Sequence, residues 1–149
     1  MWIKDGQEFT EDMIPANALG FIYEMSCIYN GTSYRYIGKK NFYSETKKKM
    51  GKKELALVTD KRLKKYTVVK KLAYKNYFSS NEVLKQAHSE GVLIKREILA
   101  ICYNATELTY MECKLQFCLG VLEKEEFLNR NILGRFFKMN EDEKRKINS

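Results

Sequence analysis

The residues best suited to chemistry are Tyr23, Tyr36, Lys39 and Glu112. Tyr23 closes the run Gly20-Phe21-Ile22-Tyr23, and Tyr36 opens Tyr36-Ile37-Gly38-Lys39 thirteen residues later. Between them lies Tyr29-Asn30-Gly31-Thr32. An Asn-Gly pair between apolar runs predicts a two-residue hairpin turn. That register sets Tyr23 opposite Gly38 and Met25 opposite Tyr36. The two phenols then share a face as diagonal neighbours, about 7–8 Å apart at the backbone. Gly38 places no side chain beside them, and Lys39 follows at the strand end. Such a group can hydrogen-bond a polar substrate and move a proton. The alternative is that both rings simply pack, since tyrosine is common in strands. Glu112 belongs to a predicted helix over 105–119 whose apolar positions are Leu108, Met111, Leu115, Cys118 and Leu119. It falls within about 60° of Leu108, Leu115 and Leu119 on a helical wheel. A carboxylate at that border needs a cation or hydrogen-bond donors. A hard divalent cation, Mg²⁺ or Mn²⁺, suits it. The alternative is a lysine partner or a path to the rim.

The remaining reactive residues narrow the chemistry. There is one histidine, His88, in the polar stretch Lys85-Gln86-Ala87-His88-Ser89-Glu90. Any histidine-based nucleophilic mechanism would have to run through it, and that setting suits a surface residue. Proton transfer is therefore left to tyrosine, lysine or carboxylate. The four cysteines, Cys27, Cys102, Cys113 and Cys118, form no Cys-x-x-Cys pair. With a single histidine they make poor zinc support and read as buried reduced thiols.

The elements that must position these groups follow from local signals. At 149 residues, 44% of them apolar, the chain reads as one domain. Residues 1–19, with the lone Pro15, read as an irregular lead-in, 20–39 as the hairpin, and 40–60 as a lysine-rich loop. A basic helix is predicted over 61–77, although Thr67-Val68-Val69 weakens it. Ser79-Ser80-Asn81-Glu82 starts a helix that ends at Gly91. A third strand covers 92–102, and Asn104-Ala105-Thr106-Glu107 caps the helix of 105–119. Residues 121–138 read as a shorter helix and a loop, and 139–149 as a charged tail. The expected fold is α+β, a small three-stranded antiparallel sheet flanked by helices, with the domain over 20–138.

Net charge is +8, and residues 39–75 hold 14 of the 27 basic residues against three acidic ones. Phe42, Tyr43, Tyr66 and Tyr74 interleave with them. Lysines neutralise phosphates and aromatic rings stack on bases, so the expected partner is a nucleic acid. The candidate contacts are Lys40, Lys47, Lys48, Lys49, Lys52, Lys53, Lys64, Lys65 and Lys75. A lipid surface is disfavoured by the lack of a basic helix with a wide apolar face. No apolar run approaches a membrane span and no apolar signal core opens the chain, so a cytoplasmic protein is expected.

Taken in order, these pieces resemble the GIY-YIG nuclease family over residues 20–137. Its two strand motifs are matched by Phe21-Ile22-Tyr23, with Phe21 where the family usually has glycine, and by Tyr36-Ile37-Gly38. Arg62 and Tyr66 match an arginine and a tyrosine four residues on. Phe78-Ser79-Ser80 is similar to a His-Ser-Ser segment of phage homing members, without its histidine. Glu112 matches the family's metal-binding glutamate, and Asn131 or Asn129 its closing asparagine. Gly134-Arg135-Phe136 continues a pattern of phage-encoded members. The resemblance implies an Mg²⁺- or Mn²⁺-dependent DNA endonuclease leaving 5′-phosphate and 3′-hydroxyl ends. In it Glu112 is the metal ligand and Tyr23 the base, helped by Tyr36 and by the field of Lys39. Arg62 clamps the phosphate, Tyr66 holds phosphate or water, Asn131 orients its neighbours, and Asn129 joins the DNA contacts. The other reading is a non-catalytic nucleic-acid-binding domain that keeps the basic patch. Sequence specificity is expected from the 40–60 insertion, the lead-in or a homodimer.

Overall fold

A computed structural model describes residues 1–49 and 66–140, together with Asp142 and Arg145. The strands are β1 (Trp2–Lys4), β2 (Gln7–Phe9), β3 (Gly20–Tyr29), β4 (Thr32–Asn41), β5 (Tyr43–Lys49) and β6 (Tyr66–Leu72). Helix α1 (Glu82–Ser89), β7 (Lys95–Cys102), α2 (Ala105–Cys118), β8 (Asn131–Ile132) and β9 (Phe136–Phe137) follow. The fold is α+β.

The central sheet has five strands in the order β2-β1-β7-β3-β4, not three. It is mixed, because β1 runs parallel to β7 while the other pairs are antiparallel. The two extra strands come from the segment expected to be irregular. Asp5 and Gly6 both have positive φ and turn β1 directly into β2, the same turn chemistry as Asn30-Gly31. Trp2 then fixes the lead-in, its Nε1 donating to the Tyr74 carbonyl at 2.8 Å.

Residues 66–72 form a strand, not part of a helix. The β-branched Thr67-Val68-Val69 favours extended backbone over helical spacing. β6 pairs with β5 in a separate two-stranded ribbon, from Tyr43↔Leu72 to Lys49↔Tyr66, so the stretch expected to be a loop begins as a strand. Among the described residues, 121–138 contain no helix; the small hairpin β8–β9 stands there. The α1 cap is Asn81, whose Oδ1 accepts from the Val83 and Leu84 amides. Asn104 caps α2 by accepting from the Glu107 amide at 2.8 Å. Cys27 and Cys102 are buried, whereas Cys113 is half-buried and Cys118 exposed.

Alternation along the strands gives the sheet two apolar faces. Trp2, Phe9, Phe21, Tyr23, Met25, Phe42 and Tyr74 pack on one, under α1. Ile22, Ile37, Cys102, Leu108, Val121, Phe127 and Ile132 pack on the other, under α2. The sheet separates the two, and β4 is one of its edge strands.

Candidate active site on the open edge of β4

The hairpin register is Tyr23↔Gly38 and Met25↔Tyr36. In a two-residue hairpin this turns the amides and carbonyls of Arg35, Ile37 and Lys39 outward. Those of Arg35 and Ile37 are met by groups from elsewhere in the chain. The Arg35 amide donates to the Glu126 carbonyl at 2.9 Å, and its carbonyl accepts from the Leu128 amide at 2.7 Å. The Ile37 amide donates to Asn129 Oδ1 at 3.0 Å. The Ile37 carbonyl accepts from Asn129 Nδ2 at 2.8 Å and from Gln116 Nε2 at 3.1 Å. The Lys39 amide lies beside the Glu112 carboxylate and favours its charged form. The edge of β4 thus aligns Glu112, Gln116 and Asn129, one helical turn and one loop, in a single row.

A cleft of about 290 Å³ opens along this row, lined by Tyr36, Glu112, Asn129, Arg130, Asn131 and Leu133 among others. Glu112 is half-buried. Burial raises its pKa, opposed by the charge of Lys39 and by the Lys39 amide. The Lys39 ammonium donates to Thr109 Oγ1 at 3.0 Å, one turn before Glu112. Its field therefore acts on the carboxylate.

Tyr36 is half-buried, and its pKa is raised by burial and then by the negative charge of Glu112. Tyr23 lies behind it, with ring centroids 6.2 Å apart. Tyr23 is only 1% exposed. Its hydroxyl is 3.3 Å from the Tyr77 hydroxyl and donates to Ser79 Oγ at 3.5 Å. Burial pushes its pKa well above the usual phenol value. Gly38 does not leave space for a ligand, as the sequence suggested. A Cβ there would stand 2.5 Å from the Tyr23 hydroxyl and 3.0 Å from Tyr36 Cε1, so the phenol already occupies the room. Phe21, the departure from the family motif, sits fully buried among Trp2, Phe42 and Tyr74. Gly20 takes the close approach instead, since a Cβ there would lie 2.5 Å from the Lys40 carbonyl.

The two asparagines have separate tasks. Asn129 is 3% exposed and both ends of its amide are bound to Ile37, which makes it a poor DNA contact. Asn131 is exposed, and its Oδ1 accepts from the Gly134 amide at 2.9 Å. Arg62, Lys52, Lys53, Lys64 and Lys65 lie outside the described residues. Tyr66 begins β6, and Lys47, Lys48 and Lys49 end β5. The Lys40 ammonium sits 4.5 Å over the Tyr77 ring. Lys75 pairs with Glu11 at 3.0 Å.

Sequence reasoning passed over Tyr77, Ser79, Gln116 and Arg96. Ser79 is buried with φ of 73°, an uncommon backbone state for a serine. Its sequence signals were the capping pattern of residues 79–82 and the Ser-Ser resemblance, and neither pointed to Tyr23. Arg96 is buried, donates to the Lys75 and Tyr77 carbonyls at 2.8 and 3.0 Å, and lies 4.0 Å from the Phe78 ring. It fixes the loop that carries Tyr77 and Ser79. His88 is exposed and stacks on Phe78, away from the cleft.

Among the described residues no three His, Cys, Asp or Glu side chains gather into a metal site. A lone, partly desolvated carboxylate facing a cleft suits Mg²⁺ or Mn²⁺, which keep much of their water and share the rest with phosphate oxygens. It does not suit zinc.

The arrangement is an α+β domain in which Tyr36 and Glu112 share a cleft at the edge of a hairpin, with Tyr23 packed behind Tyr36. The family described as "Putative endonuclease segE, GIY-YIG domain" matches residues 2–132. The chain belongs to this phage-type GIY-YIG endonuclease family. No curated protein and no solved structure matches it. Among the described residues, no helix is long and apolar enough to cross a membrane.

Proposed function

We propose that this chain is a divalent-metal-dependent DNA endonuclease that hydrolyses a phosphodiester to a 5′-phosphate and a 3′-hydroxyl. One observation carries the reading: the outer edge of β4 brings Glu112 and Tyr36 into one cleft, with Tyr23 against Tyr36. Glu112 would hold the cation. When bound, such an ion stabilises charge developing on phosphate and leaving-group oxygens. Lys39 keeps the carboxylate in place and opposes its protonation through both its ammonium and its amide. Tyr36 presents its hydroxyl to water or phosphate in the cleft. Tyr23, tied to Tyr77 and Ser79, holds Tyr36 from behind. Phenols are already protonated at neutral pH, and burial raises the pKa of both further. For either to act as the base that the family resemblance implies, positive charge must first arrive beside it. Gln116 holds β4 against α2, and Asn129 holds it against the loop before β8, which together set the distance between phenol and carboxylate.

The β5–β6 ribbon, with Lys47, Lys48 and Lys49 on one strand and Lys70 and Lys71 on the other, supplies charge for the DNA backbone. Arg130 adds a cation at the cleft itself.

The test is nicking of supercoiled plasmid with and without Mg²⁺ or Mn²⁺, beside Glu112→Gln. The expected result is metal-dependent nicking by the wild type alone, with DNA retention by both in a gel-shift assay. Binding without nicking on duplex, branched and single-stranded DNA alike assigns the chain to the non-catalytic reading.

A further inference from the structure

The fold contains three hairpin turns with positive φ at two successive positions, the first two in two-residue loops and the third in a three-residue loop between Ile132 and Phe136. They are Asp5-Gly6 (52° and 78°), Asn30-Gly31 (52° and 77°) and Leu133-Gly134 (57° and 65°). Asp and Asn suit the first position because their short polar side chains tolerate left-handed backbone. Leucine does not. Yet the third turn is held firmly. Arg135 donates its amide to the Ile132 carbonyl at 3.1 Å, and Asn131 Oδ1 takes the Gly134 amide at 2.9 Å. Ile132 beneath it is buried. Leu133 itself is 59% exposed, so core packing does not account for it.

Its position accounts for it better. Leu133 lines the cleft of Tyr36, Glu112 and Asn129 on one side. On the other it lines a groove along α2 with Thr109, Tyr110 and Cys113. It is the ridge between them. Arg135 adjoins the turn and is exposed, and Arg130, also exposed, stands at the base of the hairpin where its carbonyl accepts from the Lys138 amide. An exposed apolar point with cations on the same hairpin complements a base step beside its phosphates.

We infer that Leu133 is a wedge that enters a base step of duplex DNA next to the scissile phosphate and unstacks it. Proteins that bend DNA insert leucine and similar side chains in this way. The inference rests on the nuclease reading for the location of the cut, but opening of the step can be read without cleavage.

Binding is followed in EDTA on duplexes carrying 2-aminopurine at successive positions. The wild type is expected to raise the fluorescence several-fold at one position. Leu133→Asn, which carries the favoured turn residue, is expected to melt no lower, to bind the same DNA, and to leave the fluorescence flat. With Mg²⁺, Leu133→Asn should cut a paired duplex about tenfold more slowly or worse, and a mismatch at the step should restore most of the rate. Wild-type binding with no fluorescence rise overturns the wedge, as does an equal rise with Leu133→Asn. A wild type that unstacks the step yet never cuts with metal overturns the nuclease reading and leaves the wedge standing. A wild type that binds no duplex overturns both.

Discussion

The two sides of β4 meet the same physical difficulty, burial of an ionisable group, and answer it differently. On the aromatic side Tyr23 is enclosed by Trp2, Phe21, Tyr36 and Tyr77. Burial dominates its pKa and it stays neutral. On the α2 side Glu112 is also desolvated, but Lys39 opposes the shift with an ammonium and an amide. One strand thus holds a neutral hydroxyl network on one flank and a carboxylate with compensating positive charge on the other. The lysine after the Tyr-Ile-Gly motif thus opposes the effect of burial on the glutamate.

The sharpest way to break this comparison is Glu112→Gln. It keeps the side-chain shape and removes the anion. Nicking should fall by about a thousandfold or more, since several kcal/mol of charge stabilisation is at stake. Quantified plasmid cleavage checks this, and a rate near wild type would place the cation elsewhere.

Next is Asn129→Leu, which strips the buried Ile37 amide of its acceptor. A loss of about 1–3 kcal/mol is expected in denaturant melts. Asn131→Ala, touching only a surface turn, should lose clearly less. Equal losses would deny Asn129 its special place on the strand.

Gly38→Ala forces a methyl to 2.5 Å from the Tyr23 hydroxyl and 2.7 Å from its Cζ. Overpacking of this kind destabilises by about 1–3 kcal/mol. Tyr23→Phe in the same chain should recover part of that. Recovery of nothing would show that the phenol is not what fills the glycine's space.

The smallest effect is the pH dependence of stability. Because the folded pKa of Glu112 is raised, the folded state binds more protons than the unfolded chain between the two pKa values. Stability from this group therefore falls as pH rises through that window. Glu112→Gln lacks the slope, so its melting temperature should match wild type in acid and exceed it near neutrality. A constant difference across that range would contradict the desolvation of Glu112.

Much of the site was legible because its signals are local. Asn30-Gly31 predicted the pairing of Tyr23 with Gly38, and helical periodicity put Glu112 at the border of the apolar face. Asp5-Gly6 carries the same turn signal, but strands of three residues are too short to show alternation, and Pro15 suggested irregular chain. The β5–β6 ribbon was obscured because Leu63, Tyr66, Val69, Leu72 and Ala73 also fit a helical face. The β-branched run was the better guide. Nothing local marks Asn129 or Gln116 as partners of Ile37, since those bonds span 92 and 79 residues. The buried Arg96 likewise holds its loop through contacts that only the fold creates.

A sheet's outermost strand is a template for unwanted pairing with other copies. Here the borders of that strand are occupied by Glu112, Gln116, Asn129 and the backbone of residues 126–128. The groups that form the cleft are therefore also guards against self-association. A disabling change that clears the border, such as Glu112→Ala, invites aggregation along with inactivity. Glu112→Gln retains an oxygen for the Lys39 amide, which makes it the better inert form for trapping a DNA complex.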